Sequence, residues 1–356
     1  MNANKLLINK DYTVKETLKK IDSSAEKILF VADKSNKLIG AISDGDIRRY
    51  ILSGGKLNDK ITDIFNPKPL FLPENADKNM IKELLLKNKI EVIPLINKDK
   101  KITGAASWFE IFGRNNFDHT NKVSVPVVIM AGGKGSRLDP FTRILPKPLI
   151  PIGEKPIIEI IMNNFCRFGC DNFFMTLNYK GEMIKSYFDN SETKFNISYI
   201  WEKKFLGTAG SLKLLPGNIG KNIFVTNCDV IIETDYADIF SYHIENNNKM
   251  TIVGSFQHHE IPYGVIDMSK NGCLKKINEK PELDFMVNAG LYLIEKDILR
   301  LLPSNKGCDI TELISIMLKN KLKIGVYPIS QNSYIDVGEW KKYQTTINNI
   351  TEKLND

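Results

Sequence analysis

Residues 127–148, VVIMAGGKGSRLDPFTRILPKP, are the most informative stretch of this chain. It opens on four apolar residues, 127–130, a continuous run typical of a strand buried on both faces of a parallel sheet. The glycines that follow lack a Cβ atom, so the backbone can turn several N–H groups toward one anion. Arg137 and Lys147 add full positive charges. The stretch therefore predicts a polyphosphate-binding loop at the carboxyl edge of a parallel strand.

Other phosphate-binding glycine loops do not fit this stretch. A Walker A loop requires four residues between its first glycine and a Gly-Lys-Ser/Thr string, and the sequence contains no such string. A dinucleotide-binding fingerprint that starts at Gly133 would require a third glycine where the chain has Leu138. Pro140, Pro146 and Pro148 forbid a regular helix directly after the loop. A plain glycine-rich turn is disfavoured because the strand, the loop and the Pro-Lys-Pro string occur together.

Two aspartates follow apolar strands further along the chain. Residues 223–225 lead to Asp229, and residues 334–335 lead to Asp336. In an open α/β sheet the ligand crevice lies beyond the carboxyl ends of the strands, so we expect the two carboxylates to converge. Two hard oxygen ligands together with nucleotide phosphates would form a Mg²⁺ site. The simpler alternative is that each aspartate caps a helix or closes a turn.

Residues 131–148 resemble the signature of the sugar-1-phosphate nucleotidylyltransferases, and the similarity continues through most of residues 125–345. The further matches follow in the order of that family: Leu206-Gly207-Thr208-Ala209-Gly210, Asn227-Cys228-Asp229, Asn278-Glu279-Lys280-Pro281, Asn288-Ala289-Gly290 and Asp336-Val337-Gly338. The resemblance implies an α/β fold for residues 125–356, a Rossmann-like nucleotidyltransferase domain with a doubly wound, mostly parallel sheet.

The resemblance also implies a reaction that depends on alignment and charge rather than on a covalent nucleophile. A sugar 1-phosphate oxygen attacks the α-phosphorus of a nucleoside triphosphate, and pyrophosphate leaves in line. The implied catalytic residues are Lys147 and Arg137, and the implied Mg²⁺ ligands are Asp229 and Asp336. The implied nucleotide contacts are Ala131, Gly132, Gly133, Lys134, Gly135, Ser136, Arg137, Gly207, Thr208 and Ala209, with assistance from Glu202. The implied sugar-phosphate contacts are Glu279, Lys280, Asn288 and Gly290.

The first third of the chain contains an internal duplication. The segment KLIGAISDGDI at residues 37–47 matches KITGAASWFEI at residues 101–111, a period of 64 residues (104 − 40). The duplicated segment resembles a tandem of CBS domains, an α+β module at residues 1–118 with repeats at about 1–58 and 59–118, followed by a linker at residues 119–124. The resemblance implies a homodimer that binds AMP or ATP at Ser43, Asp46, Ser107 and Glu110. Alternatively, each serine and acid only starts a helix.

The whole-chain arrangement bears on the substrates. A CBS pair ahead of a compact transferase most resembles the glucosamine-1-phosphate guanylyltransferases of legionaminic acid pathways. This resemblance favours GTP and glucosamine 1-phosphate, or a related hexose 1-phosphate. Uridylyl or thymidylyl transfer stays open because short motifs do not fix the base. A nucleotide sensor that no longer reacts is another alternative, but a sensor would be expected to lose Lys147, Asp229 or Asp336, and all three are present.

The composition is that of a globular protein with substantial cores. Hydrophobic residues make up 42% of the 356 residues, and the net charge is +7. The basic residues are spread along the chain without an aromatic-basic motif, so we expect no nucleic-acid partner. Five cysteines without a Cys-x-x-Cys pair favour reduced thiols over disulfides or a four-cysteine metal site. The sequence shows no signal peptide and no apolar run of bilayer length, so no membrane contact and a cytoplasmic location are expected.

Overall fold

The computed structural model describes residues 3–24, 26–88, 90, 92–107, 122–191, 195–303, 306–338 and 343. The chain divides into two compact units. The first unit comprises Met1–Asp118, Phe256–Phe285 and Ile329–Asn332, and the second comprises His119–Ser255, Met286–Pro328 and Ser333–Asp356. The expected division into a module at residues 1–118, a linker at 119–124 and a transferase domain at 125–356 stays a prediction.

The regular elements are numbered in chain order. The described helices are α1 (Val14–Ser24), α2 (Asp44–Leu52), α3 (Lys78–Asn88), α4 (Ile157–Cys166), α5 (Gly181–Asp189), α6 (Gly207–Gly210), α7 (Tyr236–Glu245) and α8 (Ile310–Lys319). The described strands are β1 (Leu7–Ile8), β2 (Ile28–Ala32), β3 (Leu38–Ser43), β4 (Leu72–Pro73), β5 (Val92–Ile96), β6 (Ile102–Ser107), β7 (Val127–Met130), β8 (Pro151–Ile152), β9 (Lys155–Pro156), β10 (Asn172–Leu177), β11 (Asn196–Trp201), β12 (Asn222–Asn227), β13 (Val230–Ile232), β14 (Met250–Glu260), β15 (Val265–Met268), β16 (Leu274–Asn278), β17 (Glu282–Glu295), β18 (Ile324–Ile329) and β19 (Tyr334–Asp336).

The first unit repeats one strand arrangement twice. In each repeat a short strand pairs in parallel with the second strand, which pairs antiparallel with the third: β1–β2–β3 and β4–β5–β6. A register shift occurs at Val31/Ala32 in the first sheet and at Leu95/Ile96 in the second, a separation of 64 residues (95 − 31). The turns between the last two strands each contain a residue in the left-handed region, Asn36 and Lys100. The 64-residue period of the sequence is therefore repeated in the structure, including the register shifts and the left-handed turn residues.

The two repeats are joined by reciprocal hydrogen bonds between these turns. The Leu38 amide donates to the Lys100 carbonyl and the Ile102 amide donates to the Asn36 carbonyl, each at 3.0 Å. One hydrophobic core combines residues of both repeats, including Phe30, Ile42 and Val92. A second core lies within the later repeat. Ile61, Val92 and Ala105 thus add side chains of the later repeat to a core formed mostly by the first.

The second unit is built around a seven-stranded sheet of order β11-β10-β7-β12-β17-β14-β18. Strands β11, β10, β7 and β12 are parallel, and β17 joins β12 antiparallel. The apolar residues of β7 are all buried, as their sequence predicts. Because β10 and β12 lie on opposite sides of β7, the carboxyl end of β7 opens at a switch in strand order, where α/β sheets bind ligands.

Helices cover both faces of this sheet. On one face, Val128 and Val225 pack in the same core as Leu313 and Met317 of α8. On the other, the Phe224 ring lies 5.5 Å from the ring of Phe165 in α4, and α7 contributes Tyr236 to the same aromatic cluster. Neighbouring residues of β12 point to opposite faces because the side chains of a strand alternate. The predicted doubly wound α/β fold is confirmed.

Two further observations concern expectations from composition. All five cysteines are free thiols. In the part of the chain that the structure describes, none of the helices combines the length and the apolar character needed to cross a bilayer. The cytoplasmic location stays a prediction.

Candidate active site

The side chains of Lys147, Asp229 and Asp336 meet around Gly338. The Lys147 ammonium forms an ion pair with the Asp229 carboxylate, and these side chains are only 11% and 9% exposed. A methyl group added at Gly338 would lie against Asp229 Oδ2, 3.0 Å from Asp336 Oδ1 and 3.2 Å from Lys147 Nζ. The two carboxylates therefore share one pocket with the lysine, which is the geometry that the strand-end argument anticipates.

A short antiparallel ladder brings the two aspartates together. Asp229 immediately precedes β13, and Asp336 is the last residue of β19. These strands pair so that Val230 stands opposite Asp336, and the Val337 amide donates to the Asp229 carbonyl at 3.0 Å. The Gly338 amide donates to Asp336 Oδ1 at 2.8 Å and fixes that carboxylate. Backbone pairing rather than side-chain contact thus sets the spacing of the two acids.

Lys147 begins a 3₁₀ turn, Lys147–Leu149, after the extended Pro146. Its aliphatic stem packs against the glycine loop: a methyl group at Gly135 would lie 2.9 Å from Lys147 Cβ and 3.0 Å from Thr142 Cγ2. Gly135 also has a φ of 68°, a conformation that favours glycine. The loop, the lysine and Thr142 are therefore tightly interlocked.

The glycine loop has a buried beginning and an open middle. Ala131 and Gly132 are buried, and the Ala131 amide donates to the Thr176 carbonyl of β10 at 3.0 Å. A Cβ atom at Gly133 would meet no atom within 4 Å, so a phosphate can approach the backbone there. Lys134, Ser136 and Arg137 follow and are exposed. Their implied contacts with a triphosphate stay predictions, whereas the Ala131 amide is already used within the sheet.

Glu202 lies between the glycine loop and the segment 206–210. Its Oε2 accepts a hydrogen bond from the Leu206 amide at 2.9 Å, and its Oε1 would be 2.5 Å from a Cβ atom at Gly132. The Asn178 side chain donates to the Glu202 carbonyl at 2.8 Å. Burial raises the pKa of the Glu202 carboxyl. The family resemblance implies only an assisting role for Glu202, because no local pattern shows that its carboxylate faces the glycine loop.

The segment 206–210 is held by the start of α8. The Ala209 and Gly210 amides both donate to the Cys308 carbonyl at 2.9 Å. The Thr208 amide and hydroxyl donate to Asp309 Oδ1 at 3.0 and 3.2 Å. The nucleotide roles of Thr208 and Ala209 stay predictions, and their backbone amides serve the fold. The Gly207 amide begins α6 and so has no acceptor within that helix.

Asn288 and Gly290 stand beside the end of β12. The Gly290 amide donates to Asn288 Oδ1 at 3.0 Å, and Asn288 Nδ2 donates to the Tyr292 hydroxyl at 2.8 Å. A Cβ atom at Gly290 would lie 2.6 Å from Asn227 Nδ2. Burial raises the pKa of Tyr292 to about 12. Glu279 and Lys280 belong to the first unit, and their implied sugar-phosphate contact stays a prediction.

Tyr334 is a site residue that the sequence reasoning missed. Burial and the charges of Asp336 and Asp229 raise the pKa of its hydroxyl, while the positive charge of Arg137 acts in the opposite direction. Tyr334 and Asp336 are two residues apart in β19, so their side chains share a face. That spacing was the signal in the sequence that could have identified Tyr334. In the structure the Tyr334 phenol feels the charges of both aspartates and of Arg137.

Asp229 and Asp336 fit a hard divalent cation whose coordination is completed by a bound ligand. Within the described ranges, no group of three or more His, Cys, Asp or Glu side chains is arranged to hold a metal. Asp229 and Asp336 alone provide two carboxylates. Mg²⁺ usually keeps several waters and takes one or two carboxylates plus substrate phosphates, which matches this arrangement.

In the first unit, Ser43 and Asp46 form a capping box at the start of α2. The Asp46 amide donates to Ser43 Oγ at 3.2 Å, and the Ser43 amide donates to Asp46 Oδ2 at 2.8 Å. The other carboxylate oxygen of Asp46 pairs with Arg49 at 2.5 Å. Ser107 is buried, and Glu110 lies outside the described residues. The helix-start alternative is thus realised at Ser43 and Asp46, and the ligand-binding role stays a prediction.

Known proteins are similar to this chain in sequence. Mannose-1-phosphate guanyltransferase of Debaryomyces hansenii is 30% identical over 227 residues, which cover 61% of this chain and 62% of that protein. UTP–glucose-1-phosphate uridylyltransferase of Synechocystis is 28% identical over 247 residues, covering 64% of this chain and 63% of that protein. The chain therefore spans less than two thirds of the length of these relatives.

Among solved structures, HddC from Yersinia pseudotuberculosis superposes with a TM-score of 0.51 and 24% identity, over 64% of this chain and 99% of HddC. At this identity the likeness shows the fold. A sequence model of the CBS domain matches residues 1–53, and a model of the nucleotidyl transferase family matches residues 126–353. Because the latter match covers more than half of the chain, the protein belongs to the nucleotidyl transferase family and carries a CBS domain at its N-terminus.

Proposed function

We propose that this chain transfers a nucleoside monophosphate from a nucleoside triphosphate to a sugar 1-phosphate, forming a nucleotide-sugar and pyrophosphate. The observation that carries the proposal is the meeting of Lys147, Asp229 and Asp336 beside the glycine loop. Phosphoryl transfer needs positive charge and alignment, and this set supplies both at low solvent exposure. A sensor that no longer reacts would be expected to lose one of these three residues, and all three are present.

The reaction exchanges one phosphorus–oxygen bond for another. An oxygen of the sugar 1-phosphate forms a bond to the α-phosphorus, the bond from that phosphorus to the bridging oxygen breaks, and pyrophosphate leaves with the electron pair. Amides around Gly133 and the Arg137 guanidinium hold the triphosphate. Lys147 offsets the charge on the α-phosphoryl oxygens and on the incoming phosphate. The packing of its aliphatic stem against Gly135 limits where the ammonium can point.

Asp229 and Asp336 would hold a divalent metal, which this family generally uses. We propose Mg²⁺ because both donors are hard carboxylate oxygens. When bound, the ion would offset phosphate charge. The Lys147 ammonium neutralises Asp229 in the structure. Lys147 would therefore exchange part of this contact for phosphate oxygens as the substrates bind.

Glu202 favours guanine as the base. Guanine presents two adjacent donors, N1–H and the N2 amine, and an ionised carboxylate accepts from both. Uracil presents a single N–H between two carbonyl acceptors, which a carboxylate would oppose. Glu202 Oε1 faces Gly132 of the glycine loop. The guanyltransferase relatives and the HddC structure in complex with GMP-PN agree with this assignment.

The sugar is a hexose 1-phosphate in this proposal, with glucosamine 1-phosphate favoured by the resemblance of the whole chain. Asn288, Gly290 and Asn227 present polar groups at the end of β12, next to the aspartate pocket. The uridylyltransferase relative keeps uridylyl transfer as the competing assignment, with thymidylyl transfer behind it.

A substrate panel tests this proposal. Each nucleoside triphosphate is incubated with glucosamine 1-phosphate, mannose 1-phosphate or glucose 1-phosphate, Mg²⁺ and pyrophosphatase, and the product is identified by mass. We expect a GDP-sugar as the main product.

Replacement of Glu202 by glutamine tests the base assignment. In Glu202→Gln, kcat/KM with GTP should fall about 10- to 100-fold, since a charge-assisted hydrogen bond is lost. The kcat/KM with UTP should fall much less. The exposed Glu182 gives the matched control, Glu182→Gln. Equal losses for GTP and UTP would remove Glu202 from base recognition.

The N-terminal unit is proposed as a regulatory module of a homodimer. CBS domains bind adenine nucleotides, and a ligand that favours one arrangement of the protein changes its activity. Calorimetric titration of AMP into the full chain, with the transferase site saturated by GTP, should give a binding heat that Asp46→Ala removes. A flat titration with both AMP and ATP would leave the unit as a scaffold.

A further inference from the structure

We propose that Lys180 is a positioning residue for the transfer reaction. It holds the connector, residues 139–146, which joins the glycine loop to Lys147. The inference rests on the catalytic role proposed for Lys147, because the connector matters only if the position of that ammonium matters. Lys180 itself need not touch a substrate.

The Lys180 ammonium is saturated by the connector. It donates to the carbonyls of Thr142, Arg143 and Ile144 at 3.2, 2.6 and 2.9 Å. An ammonium has three donors, so these three bonds use all of them. The carbonyls belong to the end of a 3₁₀ turn, Phe141–Arg143, where backbone acceptors lack partners within the turn. Lys180 therefore replaces the local hydrogen bonds that the connector cannot make for itself.

The connector transmits its position to the catalytic groups through Thr142. This residue is 2% exposed, and its hydroxyl donates to Asp139 at 2.9 Å. Its methyl group and the stem of Lys147 border the same space beside Gly135, where an added Cβ atom would lie 3.0 Å from Thr142 Cγ2 and 2.9 Å from Lys147 Cβ. A shift of the Thr142 backbone would thus move the glycine loop and the lysine together.

The backbone around Lys180 is arranged for this contact. Lys180 has a φ of 53°, in the left-handed region, which non-glycine residues rarely adopt. Such a conformation persists where surrounding contacts fix it, and it often marks a functional site. The Tyr179 hydroxyl adds a contact of 3.4 Å to the Thr142 carbonyl, and the Tyr179 amide donates to the Gly132 carbonyl. Residues 178–180 therefore contact both the glycine loop and the connector.

The kinetic test uses Lys180→Met, which keeps the length of the side chain and removes its donors. We expect kcat to fall about 10- to 100-fold, as for a small misplacement of catalytic groups, with KM for both substrates changed by less than about threefold. Lys180→Arg should recover most of kcat because its guanidinium can again donate to several carbonyls. The control is Lys185→Met on α5, whose exposed ion pair with Asp189 lies outside the connector. It should match the wild type.

A second readout does not depend on activity. The Arg143 side chain is 75% exposed, so trypsin can cut after it once the connector loosens. Cleavage at this bond should be faster in Lys180→Met than in Lys185→Met, and slow in Lys180→Arg. Wild-type kcat and cleavage rate in Lys180→Met would overturn the inference, as would an equal loss in Lys185→Met. If the transferase reaction itself proves absent, the cleavage rates still decide whether Lys180 holds the connector.

Discussion

Replacement of Lys147 by methionine should abolish most turnover while the chain remains folded. Methionine preserves the unbranched stem that packs on Gly135 but removes the ammonium that pairs with Asp229. Loss of one preorganised donor to a developing charge typically lowers kcat by about 10²–10³-fold. Here the loss should reach the upper end, because Lys147 can contact both reacting phosphates. The measurement is pyrophosphate release at saturating GTP and sugar 1-phosphate.

Stability has to be separated from chemistry in this variant. Asp229 would be left as a largely buried, unpaired carboxylate, and breaking a buried ion pair from one side costs about 3–5 kcal/mol. The rate is therefore measured well below the midpoint of thermal unfolding, determined for each variant by circular dichroism. Lys155→Met, at an exposed lysine of the same unit, provides the control and should keep full activity. A Lys147→Met enzyme with wild-type kcat would take Lys147 out of the mechanism.

The sequence predicted the parts of the site that depend on strand ends. An apolar run followed by glycines has few structural solutions, and the carboxyl ends of parallel strands share one edge, so the loop after β7 and Asp229 after β12 could be placed together. Asp336 was expected at that edge for the same reason, but it ends β19, which pairs antiparallel with β13 outside the seven-stranded sheet. The ladder that sets their spacing was less accessible. Strands β13 and β19 contain three residues each, and a pairing that short leaves little periodic signal.

Contacts between segments far apart in the chain could not be predicted from the sequence. Thr208 was expected to contact the nucleotide, yet its amide and hydroxyl bond to Asp309, about a hundred residues later. Glu202 received only an assisting role because its position against Gly132 depends on how β11 ends. Nothing in the sequence distinguishes Lys180 from the other lysines of the chain. Each of these placements follows from tertiary packing, which no local pattern encodes.

The N-terminal unit shows a different limit. A serine with an acid three residues later is compatible with a capping box and with a ligand site, because both use the same oxygen atoms. The structure shows the capping box at Ser43 and Asp46, so a nucleotide would have to displace or share those bonds. The grouping of Phe256–Phe285 with this unit was also not predictable, since it depends on tertiary contacts with a segment far away in the sequence.

Replacement of Gly338 by alanine should lower kcat by about 10²-fold, as for a displacement of catalytic groups by about one ångström. The φ of Gly338 is accessible to alanine, so the cost arises from the methyl group and not from the backbone. That methyl would press on the Asp229 carboxylate and stand 3.0 Å from Asp336 Oδ1 and 3.2 Å from Lys147 Nζ. All three groups would have to move apart. The Mg²⁺ concentration for half-maximal activity should rise as well.

The matched control is Gly217→Ala in the same unit. A methyl group there would meet no atom within 4 Å, and the backbone is again accessible to alanine. This variant should retain the kcat and the Mg²⁺ dependence of the wild type. Both enzymes are compared by pyrophosphate release across a Mg²⁺ titration, with thermal unfolding as the check on folding. Because the alanine at position 338 changes no charge, a loss of activity there reports the spacing of the two carboxylates and the lysine. Unchanged kcat and Mg²⁺ dependence in Gly338→Ala would show that these groups do not act together around one ion.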